Sequence, residues 1–138
     1  MRLAIALLLA IGATAECIPP EEAATWIGKT TCVKAKVLKV VEGKRGAHFL
    51  DLCPDYRTCP LTVVVFERDL KEVGNIALLE GKEIELQGKV VKYKGRAEIV
   101  LSDRSQLKGE TKLPPPPSEY DASRHGQFSA GKFEKKRR

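Results

Sequence analysis

The sequence predicts an all-β domain: a small barrel of five short, curved strands behind a short N-terminal helix, with a disordered tail. Three observations predict it. "TTCVKAKV" and "EIELQGKV" alternate apolar and polar residues, the period of a half-buried strand. "LTVVVF" is a β-branched run of strand length. From Thr111 onward the chain is proline-rich and basic and lacks the apolar residues a core needs.

The first 15 residues stand apart from this domain. Arg2 is followed by an apolar run from Leu3 to about Ile11, then by Ala13-Thr14-Ala15. That is the layout of a secretory signal peptide with an A-x-A cleavage site, which places the mature start at Glu16. The run is too short to span a bilayer as a stable helix. Glu16 sits where a lipobox needs a small residue before Cys17, which favours export without a lipid anchor.

In the mature chain, Pro19 and Pro20 open a short helix and Glu21 and Glu22 suit its positive end. Gly28 closes it, with Ala24 and Ile27 as packing positions. The first strand puts Val33, Ala35 and Val37 on one face and Cys32, Lys34 and Lys36 on the other; the alternation slips at Leu38-Lys39, the mark of a bend. "EGKRG" is a turn, "AHFLDL" the second strand and "LTVVVF" the third, before a crossover through "ERDLKEVGNIALLEG". Ile84, Leu86 and Val90 line the inner face of the fourth strand, with Gly88 on that face where a barrel strand bends. "YKGR" turns into the fifth strand, whose inward residues are Ala97, Ile99 and Leu101. Five strands in this order suggest the OB-fold over residues 16–110, with 111–138 as a flexible tail in which "PPPP" is extended.

"IGK" before the first strand, "FLDL" in the second, "GKEIELQGKV", "YKGRAEIVL" and "SQL" together resemble the exported OB-fold domains that accompany bacterial secreted nucleases. The resemblance runs from about Pro20 to Leu107 and implies nucleic-acid binding without catalysis, since it does not extend to a nuclease part. "CPDYRTC" departs from the pattern ahead of the third strand. "FLDL" also looks like the strand of the anticodon-binding domain of aspartyl-tRNA synthetases, which implies that Phe49 stacks on a base.

Four cysteines, Cys17, Cys32, Cys53 and Cys59, point to disulfides in an exported chain. Sequence alone allows three pairings; Cys53–Cys59 is preferred because the two bracket one short loop, leaving Cys17 with Cys32. A zinc site competes poorly, because the C-x-x-C pairs of a ribbon are lacking. No metal or other cofactor is expected. Charge divides unevenly. The net of +6 comprises +1 from residues 16–110 (16 basic, 15 acidic), +4 from 111–138 (7 basic, 3 acidic) and Arg2. The domain is therefore near neutral and the basicity is in the tail.

The candidate nucleic-acid-binding residues follow from strand parity. Phe49 faces out beside Asp51. Lys34, Lys36 and Lys89 face out on neighbouring strands. Lys44 and Arg45 occupy one turn, and Tyr93, Lys94 and Arg96 surround another. These two turns flank the ligand groove of oligonucleotide-binding OB-folds. Against this, Glu83, Glu85 and Glu98 lie among the cations, as on an ordinary solvated face. Neither histidine has a nucleophile or carboxylate at motif spacing, and there is no phosphate loop or H-E-x-x-H helix. A non-enzymatic, periplasmic or secreted protein is expected. Its partner is single-stranded nucleic acid or, alternatively, an unknown periplasmic protein or small ligand.

Overall fold

A computed structural model describes residues 16–114 and the backbone of Glu134–Lys135. The expected leader and most of the expected tail lie outside the described residues. Within them the chain is mostly strand. β1 is Thr30–Lys36, β2 Lys39–Glu42, β3 His48–Asp51 and β4 Leu61–Val65. The crossover holds one helical turn, α1 (Leu70–Val73), between 3-10 turns at Glu67–Asp69 and Ile76–Leu79. β5 (Glu83–Lys89), β6 (Val91–Tyr93), β7 (Arg96–Val100), β8 (Leu107–Lys108) and β9 (Glu134–Lys135) follow.

Hydrogen bonding divides the strands into two sheets rather than one closed five-stranded ladder. One is ordered β1-β5-β8 and the other β6-β7-β4-β3-β2-β9. The physical reason is the slip in alternation at Leu38. Val37 still pairs with the β5 side, its N–H donating to Lys82 O (2.9 Å) and its carbonyl accepting from Gly81 N (2.7 Å). The next residue has changed partner, with Leu38 N–H donating to Asp51 O at 2.7 Å. β5 and β6 are likewise one run of chain interrupted at Val90. Each sheet therefore hands a strand to the other, and the apolar sides of both meet in one core that includes Val33, Leu86, Leu50 and Ile99. Each such side chain contributes about 1.5–3 kcal/mol by leaving water.

Gly88 shows how closely the layers approach. A β-carbon there would lie 2.8 Å from Ile99 Cγ2 on β7. The inner-face glycine thus permits contact between strands of different sheets, as the alternation predicts.

The N-terminal helix is a 3-10 helix, Pro20–Trp26. This corrects the expected packing positions. With three residues per turn, Pro20, Ala23 and Trp26 stack in one row. Ala23 is fully buried and Trp26 packs on the core, while Ala24 and Ile27 are exposed. At the other end, Asp103 and Gln106 form a reciprocal capping box. The Gln106 amide also donates to Gln87 O (3.1 Å) and Val100 O (3.0 Å), pinning the exit segment to β5 and β7.

Both preferred cysteine pairs are disulfides, Cys17–Cys32 and Cys53–Cys59. The first holds the N-terminal segment along β1, where Ile18 N–H donates to Cys32 O and Lys34 N–H to Ile18 O. Ordered packing continues past the expected boundary at 110. Thr111 Oγ1 donates to Glu83 O at 2.9 Å, and Leu113 belongs to the core. Ending the chain after Glu110 should therefore cost about 2–3 kcal/mol more than ending it after Pro114, read by denaturant unfolding. Equal stabilities would show that Leu113 contributes nothing.

Candidate nucleic-acid interface

Strand pairing decides which of the expected residues meet. Lys34 and Lys36 lie on β1, opposite Glu85 and Glu83 of β5, and Lys108 of β8 lies opposite Glu85 from the other side. Lys34 Nζ is 3.3 Å from Glu83 Oε1. This face of the first sheet alternates charge, and an exposed pair of this kind is worth only about 0.2–1 kcal/mol. Lys89, at the far end of β5, stands opposite Thr30. These three lysines are on a different sheet from the other candidates.

The second sheet brings the rest together. Register places Val41, Phe49, Val64 and Val100 in one row across β2, β3, β4 and β7, on the face away from the core. Val41 and Val64 are buried although outside the core cluster, and Phe49 and Val100 are half-buried. Phe49 is thus less exposed than strand parity suggests. Its ring also lies against the turn after β2, since a β-carbon on Gly43 would sit 2.6 Å from Phe49 Cε2. Asp51, expected to face solvent, is buried opposite Lys39. Glu98 is buried between Thr62 and Val91 on the neighbouring strands.

Two cationic tips stand at opposite ends of these strands. Lys44 and Arg45 occupy the β2–β3 turn, and Lys94 with Gly95 makes the two-residue β6–β7 hairpin turn. Among the described residues, only Arg45 (φ 58°) and Lys94 (φ 49°) are non-glycine residues with positive φ. Lys94 Nζ lies 5.5 Å from the centre of the Tyr93 ring, and Tyr93 is 56 % exposed.

Arg96 has a different role from its neighbours. Its guanidinium donates to Tyr56 O and to Cys59 O (3.0 Å), holding the Cys53–Cys59 loop against β7. Within that loop Asp55 accepts from the backbone and side chain of Arg57, which lowers the Asp55 pKa. Sequence reasoning missed the Val41–Phe49–Val64–Val100 row and the loop anchor. Both depend on register and loop path, which alternation does not encode. Among the described residues no group of three or more His, Cys, Asp or Glu is placed to hold a metal, and no helix is long and apolar enough to cross a membrane.

No family model and no curated protein matches the chain. Its path is similar to part of the crystal structure of a Leishmania major Friedlin protein named as an aspartyl-tRNA synthetase, with a TM-score of 0.44 and 13% identity. The match covers 72% of this chain and 22% of that one, so the chain spans about a fifth of that protein's length.

Two consequences are measurable. Arg96→Ala should destabilise by about 1.5–3 kcal/mol and speed amide exchange through residues 53–59, because both loop carbonyls lose a charged donor. Arg96→Lys should restore little of this, as an ammonium lacks the planar fork. Unchanged exchange in the loop would refute the anchor.

Glu98 carries the second. Burial raises its pKa above the ordinary glutamate value. A raised folded-state pKa means stability that is present below the unfolded pKa and lost as pH rises through the folded one. Glu98→Gln should therefore melt higher than the parent at pH 7, with the advantage vanishing as pH falls through the ordinary glutamate range. A difference in Tm independent of pH would remove the explanation.

Proposed function

We propose that this is an exported, non-enzymatic OB-type binding module that takes an extended single-stranded nucleic acid across the outer face of its second sheet. β1 with β2, and β5 with β6, each read as one bent strand, leave a five-strand path with β4 and β7 parallel. That path supports an OB-type barrel. The signal-peptide pattern and the two disulfides support a periplasmic or secreted site of action. Intact mass of the exported chain should place its start at Glu16; a retained leader would remove that part.

The observation that carries the reading is the left-handed backbone at Arg45 and Lys94. A side chain in this region costs about 1–2 kcal/mol, and tight hairpin turns favour Asn or Gly there. Both strained positions hold cations, at the two tips that flank the Phe49 row. Retained strain of this kind points to function rather than to folding. Lys44, Arg45 and Lys94 would meet phosphates, while Tyr93 and Phe49 offer rings to bases, a stacked base being worth about 1–3 kcal/mol.

Arg45→Asn and Lys94→Asn should each raise stability by about 1 kcal/mol while weakening oligonucleotide binding. Fluorescence anisotropy of a labelled single strand should show each lowering the log–log salt slope by about 0.7. Phe49→Leu, which keeps apolar bulk against Gly43, should lower affinity with little change in slope. If all three variants fold and bind as the parent does, the face is not a nucleic-acid site. The buried carboxylates Asp51 and Glu98 on the same face favour the second reading, a periplasmic protein or small ligand held by this sheet.

A further inference from the structure

Leu61, Val63 and Val65 of β4 belong to the core, so Thr62 and Val64 face the other way. Phe66 follows in extended backbone (φ −75°, ψ 150°) and continues the outward set. Its burial agrees: Phe66 is half-buried, yet it is not among the side chains packed on the core. Val64 stands opposite Phe49 on the antiparallel β3. Phe66, two residues further along the same face, is then the diagonal neighbour of Phe49, about 7–8 Å away in such a pair. Continuing the register sets only the methyl group of Ala47 directly opposite Phe66.

The chain turns away directly after Phe66, into the 3-10 turn Glu67–Asp69. That turn brings Arg68 over the ring, with Cζ 5.1 Å from the ring centre. The Arg68 side chain is 78% exposed, and Asp69 Oδ2 meets its Nε edge at 3.8 Å. A carboxylate on the edge leaves the planes of a guanidinium open. Phe66 occupies one side, and the other is in water. Glu67 meanwhile lies against the Lys44–Arg45 turn, since a β-carbon on Gly46 would sit 2.5 Å from Glu67 Oε2. Phe66 therefore stands at the rim near that cationic tip, with Phe49 next to it on the face.

We propose that Phe66 and Arg68 form a second base-stacking position, so that the outer face of the second sheet holds two neighbouring bases of a single strand, one at Phe49 and one on the Phe66–Arg68 pair. This rests on the nucleic-acid reading above and gives it a footprint. Single-stranded bases stack on aromatic rings and on guanidinium planes alike. Every base has such a π-face, so the position tolerates any sequence. An arginine suits it because its charge attracts the strand while its plane extends the ring below.

The probe is anisotropy of a labelled single-stranded oligonucleotide with the full chain, at a temperature where circular dichroism shows every variant folded. Phe66→Leu keeps apolar bulk and should weaken binding about tenfold, with the log–log salt slope unchanged. Arg68→Lys keeps the charge and loses the plane, so it should weaken binding about fivefold, again at unchanged slope. Arg68 is exposed, so this variant tests the position even if Phe66→Leu proves unstable. Phe49→Leu combined with Phe66→Leu should multiply the two single losses, since each ring serves its own base. Three results overturn the proposal: Phe66→Leu binding equal to the parent, Arg68→Lys binding equal to the parent, or a double variant no weaker than Phe49→Leu alone. If this inference alone fails, Phe49→Leu, Arg45→Asn and Lys94→Asn still weaken binding; if the parent binds no oligonucleotide at all, the nucleic-acid reading falls and the second position with it.

Discussion

The change of partner between Val37 and Leu38 is the constraint on which the rest of the structure depends. Two adjacent residues bond to opposite sides of the molecule, Val37 to Lys82 and Gly81, Leu38 to Asp51. Successive residues of any strand point their groups to opposite edges; what is particular here is that the two edges serve different sheets, β1 pairing with β5 and β2 with β3. Core parity slips at the same place, from Val33 and Val37 to Val40, so the chain bends there and the apolar sides of β1 and β2 converge. The core then follows geometrically. Val33 and Val40, on either side of the bend, belong to the same buried cluster. Gly88 answers from the partner strand, where any β-carbon would collide with Ile99 and hold the layers apart.

That arrangement also fixes where binding chemistry can be placed. The inner faces are committed to the core, so the variable surface is the outer face of the second sheet and the turns at its ends. The buried and half-buried side chains of the face are largely apolar or acidic, among them Val64, Val100, Asp51 and Glu98, with the exposed Lys39 opposite Asp51. Lys44, Arg45 and Lys94 are on the tips. On the proposed nucleic-acid reading this division would keep phosphates in water at the rim, beside the exposed Lys44 and Lys94, and would bring a base ring to the drier row beside Phe49. A lysine placed among Val41 and Val64 would instead bear the desolvation that already raises the Glu98 pKa.

Much of the fold was legible because it is written in parity. The inward sets Ile84–Leu86–Val90 and Ala97–Ile99–Leu101 are all buried, and the slip at Leu38 marks the bend itself. The cysteine pairing was legible from loop length. What parity cannot carry is the identity of a strand's neighbour. Lys34 and Lys36 read as groove cations in isolation, yet β5 sets Glu85 and Glu83 opposite them. Arg96 read as a phosphate ligand by proximity to the hairpin, yet its donors are directed to carbonyls of a loop some 40 residues earlier. The helix misled for a simpler reason: a 3-10 turn shifts the packing row from Ala24 and Ile27 to Ala23 and Trp26, and composition does not distinguish the two helices.

Arg96 also links the covalent framework to the β6–β7 hairpin. The Cys53–Cys59 bridge closes a loop whose carbonyls, at Tyr56 and Cys59, converge on one guanidinium. A loop of this length has little freedom once closed, and the Arg96 donors and the Asp55–Arg57 bonds hold what freedom remains. Arg96 is the first residue of β7, and its backbone lies opposite Tyr93 beside the hairpin turn. The disulfide loop is therefore tied to the hairpin through carbonyl-to-guanidinium hydrogen bonds. The bridge closes the loop, the loop carbonyls orient Arg96, and Arg96 begins the strand that pairs with Tyr93 across the turn carrying Lys94. β7, the inner strand of the hairpin, is held by β4 on its other side as well as by the loop carbonyls at Arg96, and this supports the left-handed lysine at the tip.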